Sequence, residues 1–312
     1  YVASMFAASI TPEVIENSSV AKDLVALSTM LRGVNQAASG GVIGVKSMKP
    51  AMTVLSESQG LLRDGNTLIA ALDLLIDEKE RLADASVKLE AALETLRSRS
   101  LESRETRWGG LVNRIRRLTE GIHGGIEIAI NFPAIGKELF GGNGPRTYLA
   151  LGETSDELRA SGGFVSGIWL MTFSSGALID IKYQDIVEVD DLNRLEMYPP
   201  PPVLLEQYMS APVWLMRDVG WEPDFPSTGA MAKELYRLGQ SRIVDGVFAI
   251  TPQAFVEIAG AIGSIPTAQG SVESSAIMQA LEEGTDRLGR EYMDTLFQDL
   301  LEALDSGYAT AR

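Results

Sequence analysis

A chain of 312 residues exceeds the usual reach of one hydrophobic core, so two domains are expected. It is 45% hydrophobic and 22% charged, an ordinary globular balance, and its 27 basic against 42 acidic side chains give a formal charge of -15, which opposes phosphate backbones and anionic membrane surfaces, so no nucleic-acid partner is expected. The lack of cysteine removes disulfides, thiolate nucleophiles and cysteine-held metals, and a single histidine, His123, cannot furnish a multi-histidine zinc site.

The chain opens on YVASMFAASI, apolar or small throughout before Thr11-Pro12 and Glu13. This run is shorter than the about 20 residues needed to cross a bilayer. Two readings stand side by side: the tail of a membrane helix or signal segment that begins before residue 1, or a buried helix end. From Thr11 to about Ile135 helix formers dominate, with polar breaks expected around Ala38 to Gly44 and Arg104 to Gly110. Leu61, Leu68, Leu75, Leu82, Leu89 and Leu96 recur at a strict spacing of seven, which keeps one helix face apolar. Lys79 and Ser86 interrupt the second seam, so an intramolecular helical hairpin or bundle is preferred to a two-chain coiled coil. Arg114, Arg116 and Arg117 read as a solvated face. The glycines around His123 predict a loop or helix break carrying an exposed histidine, rather than a member of a catalytic triad.

Gly141-Gly142-Asn143-Gly144-Pro145 forces a turn and sets the expected boundary between a helical region, residues 1–140, and a second domain, residues 141–312. Beyond it YLALG, GIWLMTF, ALIDIKY and VDGVFAI have strand length and alternate with helical spacing over Thr228 to Leu238 and Pro252 to Ile262. The fold class expected is therefore a helical bundle or hairpin followed by an α/β layered domain. Helical periodicity returns over Ala276 to Ala303, and Pro199 to Pro202 reads as a rigid spacer delivering the loop around Trp214.

Three clusters carry candidate chemistry. The first is Glu153, Asp156, Glu157 and Arg159 followed by Ser161-Gly162-Gly163, leaving the carboxyl end of a predicted strand, where open α/β sheets place ligands. Arginine offers a planar fork of donors to phosphate or carboxylate, and the glycines let backbone amides approach an anion. No phosphate-loop or dinucleotide fingerprint is present. Taken alone, the structural alternative is preferred here: Arg159 pairs with Asp156 or another carboxylate and the glycines form a bulge. The second cluster is Arg217, Asp218 and Asp224 among Trp214, Trp221 and Phe225, a set suited to a sugar face or a metal-bound phosphate, or equally to anchoring a loop through buried pairs. The third supplies Asp180, Asp185, Asp190 and Asp191, of which Asp185 follows a strand-like run toward the same pocket.

The order GPRTYLALGETSDELRASGGF, QDI, MRDVGWEPDFP and VDGVFAITPQAF resembles the bacterial family named domain of unknown function 4012, from about Gly144 onward. Ala160 stands where that family typically has proline. LALG, an arginine-bearing loop, and VDGVFAITPQAFVEIAGAIGSI are more distantly similar to LytR-CpsA-Psr proteins, which transfer glycopolymers from polyprenyl-pyrophosphate carriers. That resemblance implies arginines, acidic residues and magnesium around a pyrophosphate. Arg159 matches the arginine, whereas Gly162-Gly163 replaces an expected aspartate and Gln184-Asp185 an expected arginine-aspartate pair.

The resulting expectation is a membrane-anchored, extracytoplasmic envelope protein that binds, and in the fuller version transfers, a lipid-linked phosphorylated glycan. Arg159 and Arg217 would neutralise the pyrophosphate, with Gly162, Gly163 and Trp221 as further ligand contacts. Asp218 or Asp224 would hold Mg2+, and Asp185 would activate an acceptor hydroxyl. The alternative is a noncatalytic envelope scaffold whose helical region forms a homo-oligomer or engages an envelope protein partner.

Overall fold

The computed structural model describes residues 19–58, 60, 62–98, 101, 109–154, 157–268, 270–281 and 291–310. The opening apolar run, Leu61 and Asp156 lie outside the described residues. The chain divides into two compact units, one of residues 1–55 and 70–137 and the other of residues 56–69 and 138–312, so a short N-terminal segment belongs with the second unit. No helix among the described residues is long and apolar enough to cross a membrane.

The first unit is helical, built from α1 (Ser19–Glu57), the end of α2 (Gly65–Asp77), α3 (Lys79–Leu96) and α4 (Gly109–Leu139). Leu82, Leu89 and Leu96 of the heptad are fully buried, and Leu75 packs against the cluster that holds Leu82 and Leu89. Helical hydrogen bonds run through the junction at Glu78, from Glu78 N to Leu74 O and from Leu82 N to Glu78 O, so the apolar face is not interrupted.

The break expected at Ala38 to Gly44 does not occur, and α1 runs straight through it. Its glycines serve close packing instead. A Cβ on Gly40 would lie 2.8 Å from Leu89, and one on Gly44 would lie 2.2 Å from Ile126. Removing two side chains lets the helices approach, and the burial gained outweighs the about 1 kcal/mol by which each glycine disfavours a helix. The break expected at His123 is likewise absent. α4 continues to Leu139 because Val112, Thr119, Ile126, Ala129 and Pro133 are buried along its inner face. His123 is half-buried on the helix, with Nε2 3.0 Å from Ser86 Oγ and 3.7 Å from Glu127 Oε1.

The second unit is a mixed four-stranded sheet of β1 (Arg146–Thr154), β2 (Phe164–Ser174), β3 (Ala177–Asp185) and β4 (Gly246–Ile250), in the order β3-β2-β1-β4. β1 and β3 pair antiparallel with β2, and β4 pairs parallel with β1. Alternation sends Leu149, Leu151, Ile168 and Leu170 to one face and Ala150, Trp169, Met171 and Phe173 to the other. The first face is covered by α5 (Ile186–Val189), α6 (Val203–Met209), the 3-10 turn Met216–Trp221 and α7 (Phe225–Gln240). The second is covered by α8 (Pro252–Ile262) and α9 (Glu291–Thr310), beside the hairpin of β5 (Ser264–Thr267) and β6 (Gly270–Glu273). The expected α/β layers are thus present, with both faces of the sheet buried.

Candidate functional site

Leu149 and Leu151 point into the first layer, and the same alternation carries Glu153 inward at the carboxyl end of β1. There the pairing shifts from Gly152 opposite Gly167 to Glu153 opposite Val165, which leaves Ser166 as the extra residue of a bulge. Bulges of this kind re-aim the neighbouring side chains. Glu153 is 2% exposed, and neither carboxylate oxygen meets a hydrogen-bond partner among the described residues.

The β1–β2 loop closes directly over it. A Cβ on Gly162 would lie 1.9 Å from Glu153 Oε2, and one on Gly163 would lie 2.0 Å from the Thr154 carbonyl oxygen, so these two positions admit only glycine at this spacing. Burial with no compensating donor raises the Glu153 carboxyl from 4.5 to about 7. Arg159 Nε and Ser161 Oγ in the same loop are also buried without partners among the described residues.

Arg159 is held from the opposite side of the loop. Its Nη2 donates to Asp218 Oδ1 at 2.7 Å and to Glu157 Oε2 at 3.1 Å, while Nη1 donates to the Leu158 carbonyl at 3.0 Å. The Arg159 and Asp218 side chains are only 5% and 9% exposed. Asp218 Oδ2 lies 3.5 Å from Arg217 Nε. The backbone joins the same elements, with Ser161 N donating to the Gly220 carbonyl at 3.1 Å. The 3-10 turn is fixed in turn by Trp214 Nε1, which donates to the Asp218 carbonyl, and by Met216 N, which donates to Asp190 Oδ2 at 3.1 Å. Burial pushes the Asp190 carboxyl up to about 6, against the opposing influence of the Met216 amide and Arg217.

The fold therefore merges the first two sequence clusters into one site. Arg159, Gly162 and Gly163 come from the loop, and Arg217 and Asp218 from the 3-10 turn; Trp221 ends that turn and packs against the first-face core. Of the pairings open to Arg159 in the sequence, the one with another carboxylate is seen, with Asp218.

Two expected participants have local work elsewhere. Asp224 is the N-cap of α7, where its Oδ2 accepts from Ser227 N and Ser227 Oγ. Asp185 is the N-cap of α5 and accepts from Val187 N at 3.0 Å. Asp224→Ala is accordingly expected to reduce thermal stability modestly, by about 2–4 °C in Tm as for other lost caps, and to leave any response to magnesium unchanged. A thermal melt with and without magnesium checks both. The sequence places Glu153 in the first cluster and Asp190 in the third but gives neither a role. The period-two run Leu149, Leu151, Glu153 was the available signal for the former.

Magnesium implied by the transferase resemblance does not fit these residues. Both Asp218 oxygens face guanidinium groups, Asp224 is engaged by the start of α7, and no group of three or more potential ligands occurs among the described residues.

The architecture defines a two-faced α/β sheet domain whose site lies under a glycine loop at a strand end. Residues 143–285 match the family described as a protein of unknown function, DUF4012. No curated protein and no solved structure matches it.

Proposed function

We propose that the α/β unit binds a polyprenyl-pyrophosphate-linked glycan at the outer face of a bacterial cell membrane, as a recognition domain rather than a metal-assisted transferase. The observation that carries this reading is Arg217. Its Nε is steered by the buried Asp218, its side chain is 52% exposed, and its terminal amines meet no acceptor among the described residues. A guanidinium fixed at its base and open at its fork suits a phosphate. Arg159, whose two terminal amines are engaged by Asp218, Glu157 and the Leu158 carbonyl, acts as the brace that positions Asp218 rather than as a second phosphate ligand. Envelope location and a membrane anchor are supported by the family resemblance and by the apolar opening of the sequence.

Titration calorimetry with a short-chain polyprenyl-pyrophosphate analogue tests this. Saturable binding that persists in a chelator and is weakened about tenfold or more by Arg217→Ala is the expected result. Binding that requires magnesium would restore the transferase reading, and no binding would remove the proposal.

One observation favours a scaffold as the second reading: Leu118, Ile128 and Ile135 of α4 are large, apolar and exposed. Leu82, Leu89 and Leu96 of the heptad cannot serve in that role, being internal. Sedimentation of wild type against a Leu118→Asp, Ile128→Asp variant decides it, since a scaffold predicts an oligomer that the variant dissociates.

A further inference from the structure

A separate cleft of about 650 Å³ lies beside β3, at the edge of the sheet. Lys182, Tyr183 and Gln184 line it from β3, Tyr236 and Gln240 from α7, and Asp294 from α9, with Arg242 beyond the end of α7. Neither the family match nor the site above assigns it a role.

Its polar groups are held in place before any ligand arrives. Tyr236 Oη donates to Gln184 Oε1 at 2.9 Å, and Gln184 Nε2 donates to Gln240 Oε1 at 3.1 Å. Gln240 Nε2 is itself spent on the Glu188 and Val189 carbonyls, which fixes its oxygen toward Gln184. Asp294 Oδ1 accepts from Trp169 Nε1 at 2.7 Å and from Gln298 Nε2 at 3.3 Å, leaving Oδ2 without a donor among the described residues. Tyr183 packs against Trp169 with ring centroids 5.4 Å apart. It reaches that position over Gly167, where a Cβ would lie 2.5 Å from the tyrosine ring.

This inventory selects a ligand class by elimination. Asp294 needs a donor and repels a ligand that offers only negative charge. Arg242, and Lys182 with its ammonium shared with Asp180 at 3.2 Å, oppose a cationic ligand. Gln184 retains one N–H and one lone pair, suited to a group that both gives and accepts a hydrogen bond. Hydroxyl groups meet both demands, an acidic substituent meets the two cations, and the tyrosine ring offers an apolar surface for a sugar face. The geometry points to this cleft as a subsite for an acidic sugar, one carrying a carboxylate or phosphate among free hydroxyls. It shares only the ligand class with the reading above and uses none of the same residues.

The test is calorimetry on the full chain with a glucuronic acid trisaccharide, a glucose trisaccharide of the same linkage, hexaglutamate and inorganic pyrophosphate. Saturable binding of the acidic trisaccharide is expected, with the neutral one about tenfold or more weaker. The Lys182→Ala, Arg242→Ala variant, whose changes are on the surface, should lose that preference without a change in Tm. Asp294→Asn should weaken both saccharides. Equal binding in the cation variant, hexaglutamate binding as well as the sugar, or no saturable sugar binding would each overturn the assignment. Arg217→Ala separates the two sites: loss of pyrophosphate binding with sugar binding intact leaves both readings standing. Sugar binding in a protein that ignores pyrophosphate sinks only the earlier one.

Discussion

Asp218→Ala is expected to lower the stability of the α/β unit by about 3–5 kcal/mol, because it strands the Arg159 guanidinium where only 5% of that side chain reaches solvent. Glu157, the remaining carboxylate, is half-exposed and holds Arg159 at 3.1 Å, too weak a substitute for a buried partner at 2.7 Å. The loss should appear in urea as a lower midpoint with an unchanged slope. A double Arg159→Met, Asp218→Leu variant should recover most of it, since removing both charges also removes the need to solvate either. If the single variant cost under about 1 kcal/mol, the pair would be no more than a surface contact. The experiment bears on function as well. A brace at Asp218 predicts that Arg217 loses its orientation in the single variant, so pyrophosphate binding should weaken even at temperatures where the protein remains folded.

Glu153→Gln is the second large effect, with the opposite sign. The folded protein holds the Glu153 proton up to about pH 7, whereas the unfolded chain releases it near 4.5. A folded pKa raised above the unfolded one means that stability falls as pH climbs through this window, and the full penalty applies above it. That penalty is on the order of 3 kcal/mol. Glutamine fills the same space and carries no charge, so the variant should match wild type near pH 4.5 and exceed it by this amount at pH 8. Asp190, whose own rise ends at about 6, is present in both proteins and cancels in the comparison. Parallel stability profiles across pH would show that Glu153 finds a donor or water in solution.

The strands, the helices over Phe225–Gln240 and Pro252–Ile262, and the inward heptad were legible because each is written in a local period. The pairing of the two arginine clusters was not. Asp218 lies 59 residues from Arg159, and nothing in either segment encodes which carboxylate will arrive. The two expected helix interruptions that do not form have different reasons: the glycines around His123 face open space in a helix held by its buried inner face, whereas Gly40 and Gly44 pack against other helices. Glycine read locally is a breaker, yet Gly40 and Gly44 are spacers whose purpose depends on Leu89 and Ile126, far along the chain. Asp224 and Asp185 take up capping positions for a converse reason. Each stands immediately before a helix, and the need of that helix for an N-cap is a local demand that a carboxylate meets at once.

The short segment of residues 56–69 that joins the second unit reaches further than its length suggests. Leu178 N donates to the Leu62 carbonyl, Leu62 N donates to Asp305, and Gly65 sits so close to the β2–β3 turn that a Cβ there would lie 2.1 Å from Ala177 N. A protein cut to the family-matched span would shed this clasp at one end and α9 at the other, exposing the sheet face that Phe297 and Leu300 cover. Anyone expressing the domain from its sequence family alone would thus obtain an unfinished fold. On a ribosome, the Leu62 amide must wait for Asp305, made 243 residues later, before it finds this partner.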